Sequence, residues 1–142
     1  MNFRDCLSKG LIRRDKSATG RVKKSLEIAE RFLISSKKNF EIKEFEMSEL
    51  ASYNSIFHSA RSLLFNKEYV ERSHICVILA LKEFYKNNYE LIELLNTFDK
   101  IRISRHNIQY DGILIDKEEA KFVHDFAKQF LKKTIHIINE NI

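Results

Sequence analysis

The sequence predicts an all-α fold, an antiparallel up-and-down bundle of four long helices plus a short helix. Three observations carry this. Among 142 residues there is no proline, and glycine occurs only at Gly10, Gly20 and Gly112. Proline breaks helices, glycine weakens them, and β-rich folds need more turn residues than this. Hydrophobic residues make up 44%, with eleven Phe and five Tyr, enough for one core in a single domain over residues 1–142. Apolar residues also recur three and four apart along most of the chain.

The first fourteen residues are basic and mixed, with Arg4, Lys9, Arg13 and Arg14, and read as a short helix or a loose basic arm. A long helix follows from about Ser17 to Lys38, with Val22, Leu26, Ala29, Phe32 and Leu33 on one face. The next covers about 42–66. Its apolar stripe, Phe45, Leu50, Tyr53, Ile56, Phe57, Ala60, Leu63 and Leu64, is wide, which predicts a central helix contacted on two sides. Residues 67–72, "KEYVER", form a polar connection. Ser73 then caps a short helix that is apolar nearly all round from Ile75 to Leu81. Asn88 opens the helix at 89–110, whose core face is Leu91, Leu94, Leu95, Phe98 and Ile101. Gly112 suits the left-handed position that ends it. An extended apolar connector, "ILI" at 113–115, leads to a last helix opened by Asp116 and Glu119 in a capping-box-like pair.

The net charge is +5, which permits binding to RNA or nucleotide phosphates and equally serves solubility. Cys6 and Cys76 have no CxxC or Cys/His ligand spacing, so no metal or other cofactor is expected, and two cysteines so far apart read as free thiols rather than a staple. No segment resembles a signal peptide or is apolar enough to span a membrane, so the chain reads as a cytoplasmic protein.

Candidate chemistry gathers in "RISRHNIQYDG", residues 102–112. Arg102 and His106 are four apart and share a helix face, Arg105 lies one residue round, and Tyr110 sits at the helix end. A guanidinium clamps an oxyanion through two parallel donors, and an imidazole exchanges a proton near neutral pH. Cleavage of RNA by its own 2′-hydroxyl needs those two functions, a base and a cation for the phosphorane, and needs no metal. A basic helix C-terminus facing water accounts for the same residues through the helix dipole. Elsewhere, His58 sits inside an apolar stretch with Arg61 on nearly the same face, and a buried arginine needs an anionic or carbonyl partner. His74 can point either way, while His124 and His136 read as surface positions. No Ser-His-Asp set, phosphate-binding glycine loop or paired-carboxylate motif is present.

The stretch "SYNSIFHSARSLLFNKEYVERSHICVILALKEFY" resembles the core of the small archaeal and bacterial HEPN-domain proteins. Those read as "YYAMFHAARALL", a "GYREKSH"-type connection and a helix. The matching residues here are Tyr53, Phe57, His58, Ala60, Arg61, Leu63 and Leu64, then Tyr69, Ser73 and His74, and the later "R-x-x-A-D-Y-G" is met by Arg105 through Tyr110 to Gly112. The resemblance covers about residues 17–138. It implies a helical bundle that dimerises, and one of two roles. One is a metal-independent ribonuclease toxin, paired with a minimal nucleotidyltransferase antitoxin, with an R-x4-6-H motif assembled from two subunits. The other is a non-catalytic module that binds nucleotide or RNA.

The chain departs from the nuclease motif. Tyr110 stands where histidine is expected after Arg105, and His106 is one residue too close to Arg102. Tyrosine titrates near pH 10 and is a poor base at neutral pH. The resemblance thus implies a homodimer binding nucleotide or RNA phosphate through Arg105, Tyr110, His58 and Arg61, beside a nucleotidyltransferase. The alternatives it implies are a ribonuclease using Arg102, Arg105 and His106, and nucleotidylation of Tyr110 by the partner.

Overall fold

A computed structural model describes residues 1–140. Among these residues the elements are α1 (Phe3–Ser8), β1 (Ile12–Arg14), a 3-10 helix (Lys16–Arg21), α2 (Val22–Glu41), α3 (Phe45–Asn66), β2 (Tyr69–Glu71), α4 (His74–Phe84), α5 (Tyr89–Asp111) and α6 (Lys117–Glu140). The fold is an all-α bundle, as the composition and periodicity predict.

The centre of the bundle is the antiparallel pair α2–α3, the most extensive helix interface. Its seam is made of small polar residues. On α3, Ser48, Ser52, Ser55, Ser59 and Ser62 are all buried, and their alternating spacing of four and three puts them in one stripe. On α2, Ser25, Ala29 and Ser36 face them. The Ser25 hydroxyl donates to the His58 carbonyl at 2.7 Å, Ser55 donates to the Ala29 carbonyl at 2.8 Å, and Ser48 donates to the Ser36 carbonyl at 2.9 Å. Small side chains let the backbones approach, and each hydroxyl finds an acceptor, so none is left as a costly buried orphan. The reverse face of α3 carries Tyr53, Ile56, Phe57, Ala60, Leu63 and Leu64 into the main apolar core with α4, α5 and α6. Fourteen residues of α3 are buried, which matches the wide stripe and the central position expected of it.

The boundaries follow local chemistry. Ser73 and Asn88 accept hydrogen bonds from the first-turn amides of α4 and α5. Gly112 ends α5 at φ 67°, in the left-handed region. Asp116 accepts from the Glu119 amide at 2.9 Å at the start of α6.

Four expectations are corrected. The helix expected from Ser17 begins as a 3-10 turn, and α2 proper starts at Val22. The polar connection 67–72 contains β2, which pairs antiparallel with β1, Ile12 opposite Glu71 and Arg14 opposite Tyr69. Three-residue strands are too short to show a period-two pattern. His124 is not a surface residue, because its Nδ1 lies 3.0 Å from the Ser36 hydroxyl and ties α6 to the seam. Finally, Cys6 and Cys76 are not free thiols. They form a disulfide, because α1 folds back on α4 and brings their Cα atoms to 5.8 Å across a 70-residue separation.

Two outcomes check this packing. Ser59 bonds only within its own helix, to the Ser55 carbonyl. Ser59→Ala therefore shifts the urea midpoint little, whereas Ser59→Leu overpacks the seam and costs about 1–3 kcal/mol. Thiol titration of the denatured chain finds no free cysteine before reduction, and reduction lowers unfolding stability by about 2–4 kcal/mol.

Candidate anion-binding site

The ring side chains of α3 and α4 build one continuous array. His74, the first residue of α4, stacks on Phe57 at 3.9 Å between ring centres. Tyr53, one turn before Phe57, lies 5.8 Å from His74, and its hydroxyl is hydrogen-bonded to His74 Nδ1. His58 stacks on Phe32 of α2 at 5.7 Å and meets Phe57 edge-on. From α5, the Arg105 guanidinium lies 4.7 Å above the Tyr53 ring, a cation–π contact.

Tyr53, His74 and Arg105 converge on a cleft of about 430 Å³ between α2, α3, α4 and α5. Its apolar wall includes Phe32, Met47, Leu50 and Ala51, and its rim carries the amides of Asn39, Asn54 and Gln109. Arg105 Nη1 donates to Gln109 Oε1 at 3.0 Å, while its buried Nε has no partner.

Three arginines are half-buried in the molecule. Arg61 pairs with Glu71 of β2 at 2.8 Å and lies over Phe57 and Phe65, and Arg102 pairs with Asp99 at 2.9 Å. Among the described residues, no carboxylate pairs with Arg105. A half-buried cation without an anion is costly, and a bound oxyanion would supply the missing charge.

The imidazoles are held neutral. Burial, then the charges of Arg105, Arg102 and Arg61, lower the pKa of His74. Burial, then Arg61 and His74, push His58 down to about 4. Burial raises the Tyr53 phenol against the opposing pull of Arg105. A protonated phenol and a neutral imidazole fit two tautomers, Tyr53 donating to Nδ1 or Nδ1–H donating to the Tyr53 oxygen. In the first the remaining donor is His74 Nε2–H, and in the second it is the Tyr53 hydroxyl. Either way the dyad offers one donor to an anion.

Of the residues put forward as site residues from the sequence, Arg105 alone lines this cleft. His106 and Tyr110 are in ring contact at 4.8 Å, but both are exposed at the end of α5, Tyr110 to 64%. Arg102 is engaged by Asp99 on the same helix. Arg61 is held by β2 rather than by the end of α5, and His58, whose buried Nδ1 has no partner, packs against Phe32 beside the cleft. Tyr53 and His74 are the site residues that sequence periodicity left unmarked. Tyr53 reads as one more member of an apolar stripe, and His74 as a neighbour of a helix cap. Among the described residues no group of three or more His, Cys, Asp or Glu side chains could hold a metal ion, and no helix is long and apolar enough to cross a membrane.

The HEPN domain family model matches residues 22–138, and the chain belongs to that family. It is also 32% identical over 125 residues to a protein of Methanocaldococcus jannaschii named "Putative toxin MJ0142", across 86% of this chain and 80% of that one.

The histidines give a measurable signature. Unfolded histidine takes its proton near pH 6.5 and His58 in the fold near 4. The unfolded chain therefore binds more protons between these values, and stability is lost as pH falls from 6.5 towards 4. NMR titration should place the His58 midpoint near 4, and His58→Gln should flatten that acid limb of the melting curve.

Proposed function

We propose that this protein is a homodimeric HEPN module that binds the phosphate of a nucleotide or RNA. It works with a minimal nucleotidyltransferase partner in a toxin–antitoxin-like pair. The observation that carries the binding role is Arg105, the half-buried arginine without a carboxylate. Beside it the Tyr53–His74 dyad presents one donor, and the apolar wall of the cleft suits a base or a sugar edge. Family membership and the name of the archaeal relative support the toxin–antitoxin setting. Dimer formation is supported by the exposed apolar corner after α5, where Leu114 is 82% exposed beside Ile113, Tyr110 and Ile103.

The ribonuclease reading keeps one supporting observation. His106 stands exposed at the end of α5, where a second copy can reach it. Against it stands the motif spacing. A base in this corner would have to come from His106 across a dimer.

Fluorescence anisotropy with a labelled single-stranded RNA and with AMP tests the binding role. Arg105→Ala should weaken binding about tenfold or more, the worth of a charge-assisted contact, and His106→Ala should change it less than about twofold. Equal binding by wild type and Arg105→Ala overturns the assignment. Incubation of RNA with the protein in EDTA decides the second reading. Cleavage that disappears in an Arg105→Ala, His106→Ala double variant establishes a ribonuclease, and intact RNA leaves the binding module.

A further inference from the structure

We propose that Glu49 of α3 and Glu119 of α6 share one proton, and that this proton fastens the α5–α6 corner to α3, so that the corner loosens as pH rises. This goes beyond the anion cleft and does not depend on it.

Glu49 is the one charged residue of the described chain that is fully buried, at 0% exposure. Its surroundings are unusual for a carboxylate. From α5, the Ser104 hydroxyl donates to Oε2 at 2.8 Å. Oε1 is buried and has no donor. From α6, Glu119 lines the same cleft as Ser104, and its carboxyl is the charge that acts on Glu49. No lysine, arginine or histidine is paired with Glu49. Lys100 of α5 and Asp116 at the start of α6 line the cleft next to this pair, and Asp116 is occupied in capping α6.

Two ionised carboxylates cannot meet in a buried space without a cation. A single proton resolves the arrangement. On Glu49 it turns the orphan acceptor into a donor, and Glu119, exposed to water, carries the negative charge. Ser104 then donates to one Glu49 oxygen while the other donates to Glu119. Three helices meet through one side chain. Burial first, and then Glu119, raise the Glu49 pKa to about 8, with Ser104 opposing.

The sign of the pH effect follows. Glu49 binds its proton more tightly in the fold than in the unfolded chain. Its contribution is complete below the unfolded value of 4.5 and is lost as pH rises to about 8. The buried histidines His58, His74 and His124 act in the opposite direction, most strongly below 6.5 and fading over the next pH unit. The difference between wild type and a Glu49 variant from 6.5 to about 8, in which the histidines cancel, therefore reports Glu49.

Thermal unfolding of the full-length protein across that interval tests the proposal. Relative to Glu49→Gln, wild type should lose about 5 °C of melting temperature between its two ends. Glu49→Gln should show no fall, because a glutamine amide accepts from Ser104 and donates to Glu119 as the protonated acid does. Glu119→Gln, a change at an exposed position that leaves the core intact, should move the fall to lower pH. Amide exchange corrected for intrinsic rate should rise with pH at residues 112–120 in wild type and not in Glu49→Gln. A Glu49→Gln curve that falls in parallel with wild type overturns the shared proton, as does a Glu119→Gln curve indistinguishable from wild type. Unchanged exchange at 112–120 in wild type removes the corner from the proposal.

Discussion

The close seam between α2 and α3 is the constraint on which the rest of this molecule depends. Five serines on one helix and Ser25, Ala29 and Ser36 on the other bring two backbones together where larger side chains would hold them apart. The partners run in opposite order, Ser25 with residue 58, Ala29 with Ser55, Ser36 with Ser48, so the hydroxyl bonds fix the antiparallel register as well as the distance. Apolar packing alone is non-directional and tolerates sliding. Buried hydroxyls do not, because a slip by one residue leaves several of them unsatisfied. With the seam set, the opposite face of α3 is aimed at α4 and α5 without further choice.

That aim creates the cleft. Tyr53 and Phe57 are one turn apart on the side of α3 away from the serines, and they receive His74 from α4 and Arg105 from α5. The N-terminal arm contributes at a distance. Its disulfide grips Cys76, two residues after His74, and its strand β1 holds β2, whose Glu71 neutralises Arg61. The arm thus fixes both the entry of α4 and the ion-pair partner of the neighbouring arginine. Arg105 is left as the cation in the array that the protein does not itself neutralise.

The helices were legible because their signals are local and repeated. Caps at Ser73, Asn88 and Asp116 and the left-handed Gly112 each mark a boundary within four residues of sequence. The missed features are long-range or disguised. The left-handed residues that end α2 and precede β2 are Lys43 and Glu68, not glycine, so those turns carry no glycine marker. The disulfide and the β1–β2 pair join segments more than fifty residues apart. His124 lies on a helix whose outer face is charged, and only the arrival of Ser36 from α2 shows that it turns inward. Of the site, Arg105 was visible through its place in the family pattern. Tyr53 and His74 also fall in that pattern, but were not put forward as site residues because an aromatic stripe and a capped helix start each have a sufficient structural explanation.

The same reasoning separates Arg105 from its neighbours on α5. Along the sequence Arg102, Arg105 and His106 form one basic group, and the spacing of Arg102 and His106 suggests a working pair. In three dimensions they have different obligations. Arg102 is satisfied by Asp99 one turn back. His106 meets only the Tyr110 ring at an exposed helix end, where water can solvate it in either protonation state. Arg105 is pinned between the Tyr53 ring and Gln109 with a buried N–H that nothing among the described residues accepts. A surface cation needs no partner, and a paired one already has it. Only a confined and unpaired cation stores a demand that a ligand can meet, and that demand marks Arg105 out from a basic helix end.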